Sequence, residues 1–215
     1  MNFNRPGQVP SIAASAARCA GSLSHTVRHR PWGSRVMALS RSLSLLLFVP
    51  LLLGPASLAR AEVKLAAADA LLIEHHYRLA APPARAWQAL AHPERWWPQE
   101  HTWSGQRGNL SLRMALGGCF CERWKDGGAE HGRVVMLRRG ELLRLQAALG
   151  PFQELAVSGV LGIALAAREG GTDVTVSYRV SGTSEHALDR MAPMVDQVLD
   201  QQFGGFAHYA DGVVP

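Results

Sequence analysis

Glu122 and His131 are the two side chains in this sequence best suited to chemistry. A carboxylate beside an imidazole can act as a general base or orient one. The two residues flank Asp126-Gly127-Gly128, inside two runs of alternating character. Glycines at such a point supply the positive φ angles of a tight hairpin turn. A Gly127-Gly128 turn sets Lys125 opposite Glu130, Trp124 opposite His131, Glu122 opposite Arg133 and Phe120 opposite Val135. An Asp126-Gly127 turn sets Glu122 opposite His131 instead. Both registers gather Glu122, Trp124, His131 and Arg133, and the first is preferred because it pairs opposite charges. Two readings stand. Either Glu122 and His131, with Trp124 beside them, line a cavity mouth and bind or activate a ligand, or they form a cross-strand polar network that satisfies itself.

A second group is aromatic. Trp96, Trp97 and Trp103 fall close together, the last within His101-Thr102-Trp103-Ser104-Gly105. Large aromatic faces can wall a pocket for apolar or ring-bearing molecules, or can plug the end of a sheet. Cys119 and Cys121 stand one residue apart on a strand, where their side chains share a face near the upper limit of disulfide geometry. They are expected as free, buried thiols. A metal site built from Cys119, Cys121, His131 and His101 is rejected, because C-x-C on a strand is not the C-x-x-C knuckle that wraps zinc and no second pair exists. The sequence has no H-E-x-x-H, G-x-S-x-G, G-x-x-x-x-G-K-[ST] or G-x-G-x-x-G. No cofactor is expected.

The elements that must position these residues are legible from periodicity. Residues 71–80 alternate as a strand, with Ile73, His75, Tyr77 and Leu79 on one face. Pro82-Pro83 stops that strand and presets a helix carrying Trp87, Leu90 and Ala91 on one stripe. Strands follow over 109–116, 119–125, 129–138, 142–149, 155–166 and 172–181, with glycine-bearing turns between them, as in an antiparallel meander. A longer helix closes the chain, with Leu188, Met191, Val195, Val198, Gln202 and Phe206 at steps of three and four. Pro193 should begin its regular part or kink it. A curled sheet needs its concave face covered, and only this last helix is long and amphipathic enough. The fold class is therefore α+β, a sheet wrapped round a C-terminal helix.

The central segment, residues 117–135, resembles the SRPBCC superfamily when taken with residues 101–105 and with Leu149-Gly150-Pro151-Phe152-Gln153. The strand–Ala-Pro-Pro–helix entry is similar to that superfamily's opening element. More narrowly, the chain resembles bacterial members named after polyketide cyclases and after the activator of the heat-shock chaperone ATPase. The likeness covers residues 71–210. It implies a helix-grip fold with an apolar cavity between sheet and last helix, and a scaffold shared by carriers and enzymes. On that footing the expected function is binding of a small apolar or aromatic molecule. The alternative is a polyketide cyclase-like or lyase-like enzyme using Glu122 and His131 as acid–base groups. Candidate ligand contacts are Trp96, Trp97, His101 and Trp103, together with Phe120, Trp124, Arg133 and Phe152.

Charge excludes one class of partner. Seven of the 22 basic residues and none of the 17 acidic ones fall in 1–61, so the remaining 154 residues carry 15 against 17 and a net charge of −2. The basic balance belongs to the presequence, and no nucleic-acid interface is expected. Arg41, the apolar run over 42–53, Gly54-Pro55 and Ala59-Arg60-Ala61 read as a secretory signal, expected over 37–61 with cleavage after Ala61. Its apolar core is too short to span a bilayer. Residues 1–36 are expected to be a disordered arm or to precede a true start at Met37, and 62–70 a flexible arm before a single domain over 71–212. A periplasmic or secreted protein without a stable membrane anchor follows as an expectation.

Overall fold

The computed structural model describes residues 60–213. The arm expected over 1–36 and the export signal expected over 37–61 lie outside these residues, apart from the backbone of Arg60 and Ala61. The described residues form one open antiparallel sheet and two α-helices. In chain order these are β1 (Arg60–Ala67), β2 (Ala70–Leu79), α1 (Pro83–Leu90), β3 (Leu110–Leu112), β4 (Cys119–Trp124), β5 (Gly127–Arg138), β6 (Leu142–Gln146), β7 (Ser158–Arg168), β8 (Gly171–Ser181) and α2 (Leu188–Ala210). The sheet order is β1-β2-β8-β7-β6-β5-β4-β3. This is the expected α+β arrangement of a curled sheet with a long C-terminal helix.

One strand was missed. Residues 62–70, expected as a flexible arm, form most of β1 and its turn into β2, with Val63 opposite Ile73 and Ala67 opposite Ala70. Alanine has weak strand preference, so local pattern conceals this strand. The free edge of β2 supplies the partner that propensity does not. The β1–β2 turn also anchors α2, because the Leu188 amide donates to the Ala68 carbonyl at 2.9 Å. Accordingly α2 starts at Leu188 and runs past Pro193, five residues before the start that the proline suggests.

The core lies between the concave face of the sheet and α2. On β2, Leu71, Ile73, His75, Tyr77 and Leu79 all point inward, and Val174, Val176, Tyr178 and Val180 do the same on β8. The helix answers with Leu188, Ala192, Val195, Leu199, Phe203 and Phe206. His75 reaches into this layer and meets Asp196 of α2, with Nε2 and Oδ1 2.9 Å apart. At the far end of the helix, Trp96 packs on Phe203 and Phe206 at centroid distances of 5.8 and 5.5 Å. Its indole N–H donates to the Ala89 carbonyl at 2.9 Å, which locks the 96–97 corner onto α1.

That corner comes so close to α2 that a Cβ on Gly205 would sit 2.5 Å from the Trp96 carbonyl oxygen, whereas one on neighbouring Gly204 would meet nothing within 4 Å. The two glycines should therefore respond oppositely in urea unfolding. Gly204→Ala should gain up to about 1 kcal/mol from helix propensity. Gly205→Ala should lose about 1–3 kcal/mol, since a backbone carbonyl cannot yield as a flexible side chain does.

Candidate functional site

The hairpin that carries Glu122 and His131 takes neither expected register. Its turn is Lys125-Asp126, and Trp124 pairs with Gly127, Arg123 with Gly128 and Glu122 with Ala129. Neither turn residue has a positive φ. Gly127 serves packing instead, for a Cβ there would come within 2.9 Å of the Trp124 indole. Farther along, the register shifts between Phe120, which faces Gly132, and Cys121, which faces Glu130. His131 is the extra residue of this β-bulge, and a bulge re-aims side chains. It turns inward beside Glu122, 5.0 Å from the Phe120 ring and 6.4 Å from that of Trp97.

The Glu122 carboxylate is fully buried and accepts three hydrogen bonds. The amides of Trp103 and Ser104 donate at 3.0 and 2.5 Å, and His131 Nε2 lies 3.1 Å from Oε2. Ser104 Oγ in turn accepts from Asn109 Nδ2 at 3.0 Å. Glu122 thus clasps the 101–105 loop to the sheet. Burial pushes its pKa up, but the bonds from Ser104, Trp103 and His131 outweigh burial and hold the group below the usual carboxylate range. Burial holds His131 below the usual imidazole value, against the opposing pull of Glu122. At neutral pH the pair is accordingly a carboxylate and a neutral imidazole that donates its Nε2 proton.

Beside this pair lies a cavity of about 290 Å³ between the sheet and α2. Trp97, His101, Thr102 and Trp103 wall it on one side, and Leu149, Pro151 and Phe152 on another. Val195, Val198, Leu199 and Gln202 of α2 form the floor, and His131 and Tyr178 rise from the sheet. The Tyr178 hydroxyl accepts from the Leu149 amide at 3.0 Å and donates to the Ala147 carbonyl at 3.2 Å, which holds the 147–149 wall in place. Two polar atoms are buried without a hydrogen-bond partner among the described residues and belong to lining side chains: Gln202 Oε1 and His101 Nδ1. Glu100 is the one carboxylate in the lining, and no lysine or arginine joins it.

Of the residues expected to hold a ligand, Trp97, His101, Trp103, His131 and Phe152 line this cavity. The others do not. Trp96 and Phe120 are core residues, buried against α2 and Trp97. Trp124 is 38 % exposed on the turn, and Arg133 points outward to the Glu130 carboxylate and the Gly117 carbonyl. The turn at Lys125-Asp126 pairs Glu122 with Ala129 rather than Arg133, and the bulge beyond it sets Arg133 opposite Cys119 on the outer face. Glu122 itself sits behind His131 and does not line the cavity. Sequence reasoning missed Gln202, although a polar residue on an apolar helix stripe is a usable signal.

The cysteines also depart from expectation. Cys119 and Cys121 form a disulfide, with Cα atoms 5.4 Å apart. The expectation of free thiols assumed a regular strand, in which the Cα atoms of residues i and i+2 lie farther apart than in this pair. A loop this small constrains the unfolded chain by only about 1.6 kcal/mol in the chain-entropy estimate. Together with Glu130 the cysteines are the one cluster of potential metal ligands among the described residues, lying within 4.8 Å of one another.

No protein family matches this sequence, and no curated protein matches it either. Solved structures do. A protein from Rhodobacter sphaeroides matches with TM-score 0.50 and 19% identity over 71% of this chain and 99% of its own. An uncharacterised protein from Rhizobium leguminosarum gives TM-score 0.49 and 18% identity over 73% and 99%. The Aha1 dimer from Colwellia psychrerythraea gives 0.49 and 18% over 66% and 97%. At such identity the Rhodobacter likeness speaks for the fold alone, an antiparallel sheet with a long C-terminal helix.

Two measurements test the buried pair. Glu122→Gln, which replaces an acceptor oxygen with a donor facing amide N–H groups, should cost about 2–4 kcal/mol in urea unfolding and expose the 101–105 loop to hydrogen exchange. Unchanged stability would exclude the clasp. The pH dependence has a fixed sign, because both groups have folded pKa values below their unfolded ones. The unfolded chain then takes up the proton first, so their stabilisation is complete above the unfolded pKa and fades as pH falls. Stability should decline below about pH 6.5 through His131 and again below about pH 4.3 through Glu122. In His131→Gln the upper limb should flatten and the lower one remain.

Proposed function

We propose that this protein binds a small, largely apolar or aromatic molecule in the cavity between sheet and α2, in the manner of the SRPBCC superfamily. The observation that carries this reading is the composition of the cavity wall. Four aromatic side chains and a row of aliphatic ones surround it, while Gln202 and His101 offer isolated polar atoms. Binding sites commonly combine an apolar wall with a few polar groups that fix orientation. At about 290 Å³ the space lies at the low end of ligand cavities, roughly 300–1,000 Å³, and suits a molecule of one or two rings. Without a lining cation, a carboxylate or phosphate ligand would lack its counter-charge. A neutral ligand fits better. Export to the periplasm or beyond is part of the proposal and rests on the presequence; among the described residues no helix is long and apolar enough to cross a membrane.

One feature favours a second reading, acid–base catalysis on a polyketide-like substrate. His131 is a neutral imidazole whose Nε2 is engaged by a carboxylate, and such an arrangement leaves the Nδ1 lone pair to take a proton. In that reading His131 would touch substrate, and Glu122 would be a positioning residue.

The experiment is mass spectrometry of small molecules released from the purified full chain, together with titration by the neutral dye Nile red. Val198→Trp, which fills the floor of the cavity, should lower dye affinity at least tenfold while the far-ultraviolet circular dichroism spectrum stays unchanged. Undiminished uptake by this variant would overturn the cavity reading. Should the wild type convert an offered polyketide and His131→Gln bind it without converting it, the catalytic reading replaces the carrier reading.

A further inference from the structure

We propose that the Cys119–Cys121 bridge is a thiol–disulfide exchange site on the convex face of the sheet, opened and closed by a thiol reductant of the glutathione type. This site is separate from the cavity and does not rest on what the cavity binds. Along β4, Phe120 and Glu122 point inward, so Cys119 and Cys121 fall on the outer face. The bridge closes a loop with one residue between its ends, which constrains the unfolded chain very little. Stapling the fold is therefore a poor account of it. Cys119 is only half-buried whereas Cys121 is 7 % exposed, so an incoming thiolate can reach the Cys119 sulfur and expel Cys121.

The surroundings supply the proton chemistry. A Glu130 carboxylate oxygen lies 3.7 Å from Cys119 Sγ, and one ligand atom from each of the three residues lies within 4.8 Å of the others. Glu130 is held there from two sides. Arg133 pairs with its carboxylate, and Gln153 Nε2 donates to its backbone carbonyl at 2.8 Å. Glu130 takes the proton of the incoming thiol, whose sulfur forms a mixed disulfide with Cys119 as the intramolecular S–S bond breaks. Cys121 leaves as thiolate and receives that proton from Glu130. A second thiol then attacks the external sulfur of the mixed disulfide and releases Cys119, which takes up the second proton. Two electrons and two protons enter the protein, and two thiols leave as one disulfide.

The test equilibrates the full chain in mixtures of reduced and oxidised glutathione. Free thiols are trapped with iodoacetamide and counted by mass spectrometry on the peptide carrying both cysteines. The expected result is reversible opening and closing as the glutathione ratio changes, with circular dichroism and the urea midpoint little altered. A bridge that stays shut in excess reduced glutathione, or thiols that never pair in oxidised glutathione, would overturn the proposal. So would opening that coincides with unfolding. Glu130→Gln should slow exchange about tenfold and flatten its pH profile while leaving the equilibrium ratio unchanged. An unaltered rate would remove Glu130 from the step. The variant carrying both Cys119→Ser and Cys121→Ser should fold normally, and its failure to fold would make the bridge structural.

Discussion

A single buried carboxylate organises the working end of this molecule. Glu122 is fully buried, and among the described residues three donors compensate its lost hydration. Two of those donors are consecutive backbone amides from a loop 18 and 19 residues away in sequence, and the third is the imidazole of the facing strand. Ionised, the carboxylate draws loop and strand together. Protonated, it would turn one acceptor into a donor in a place where donors already converge. The cavity wall contributed by residues 97–103 is held by this contact, by the Trp97 indole N–H on the His101 carbonyl at 3.0 Å, and by the Trp97 ring packed on Phe120 at 5.1 Å.

The β-bulge at His131 is the second constraint, and it acts on both faces of the sheet at once. On the concave side it turns His131 toward Glu122, Phe120 and Trp97, and so makes the imidazole part of the cavity wall. On the convex side the residue just before it, Glu130, stands opposite Cys121 and within reach of both sulfurs. Beyond the extra residue the register is displaced by one, so Gly132 faces Phe120 and Arg133 faces Cys119 on the outer side. The wall opposite is fixed independently. Tyr178, rising from β8, uses its hydroxyl to hold residues 147–149, and Trp96 packs edge-on to Phe206 at the far end of α2.

The sequence by itself determined the elements whose partners are generic. Alternation over β2 and the three-and-four spacing of α2 need only some apolar layer to bury against, so their order, the antiparallel meander and the α+β class could be read without knowing what that layer was. The indole cluster at 96–103 was legible as a group, but whether each ring walls a pocket or plugs the sheet end was not: Trp97 and Trp103 line the cavity and Trp96 packs in the core. What only the tertiary structure decided were matters of register and reach. β1 has too much alanine to announce itself and exists because β2 offers an unpaired edge. The hairpin turn fell at Lys125-Asp126, where a Cβ on Gly127 would meet the Trp124 indole, and a bulge lies three residues beyond Gly128. The bulge sets Arg133 opposite Cys119 on the outer face. Side-chain period in a strand is two, so a shift of one residue exchanges every face, and nothing in the local pattern reports where such a shift will occur.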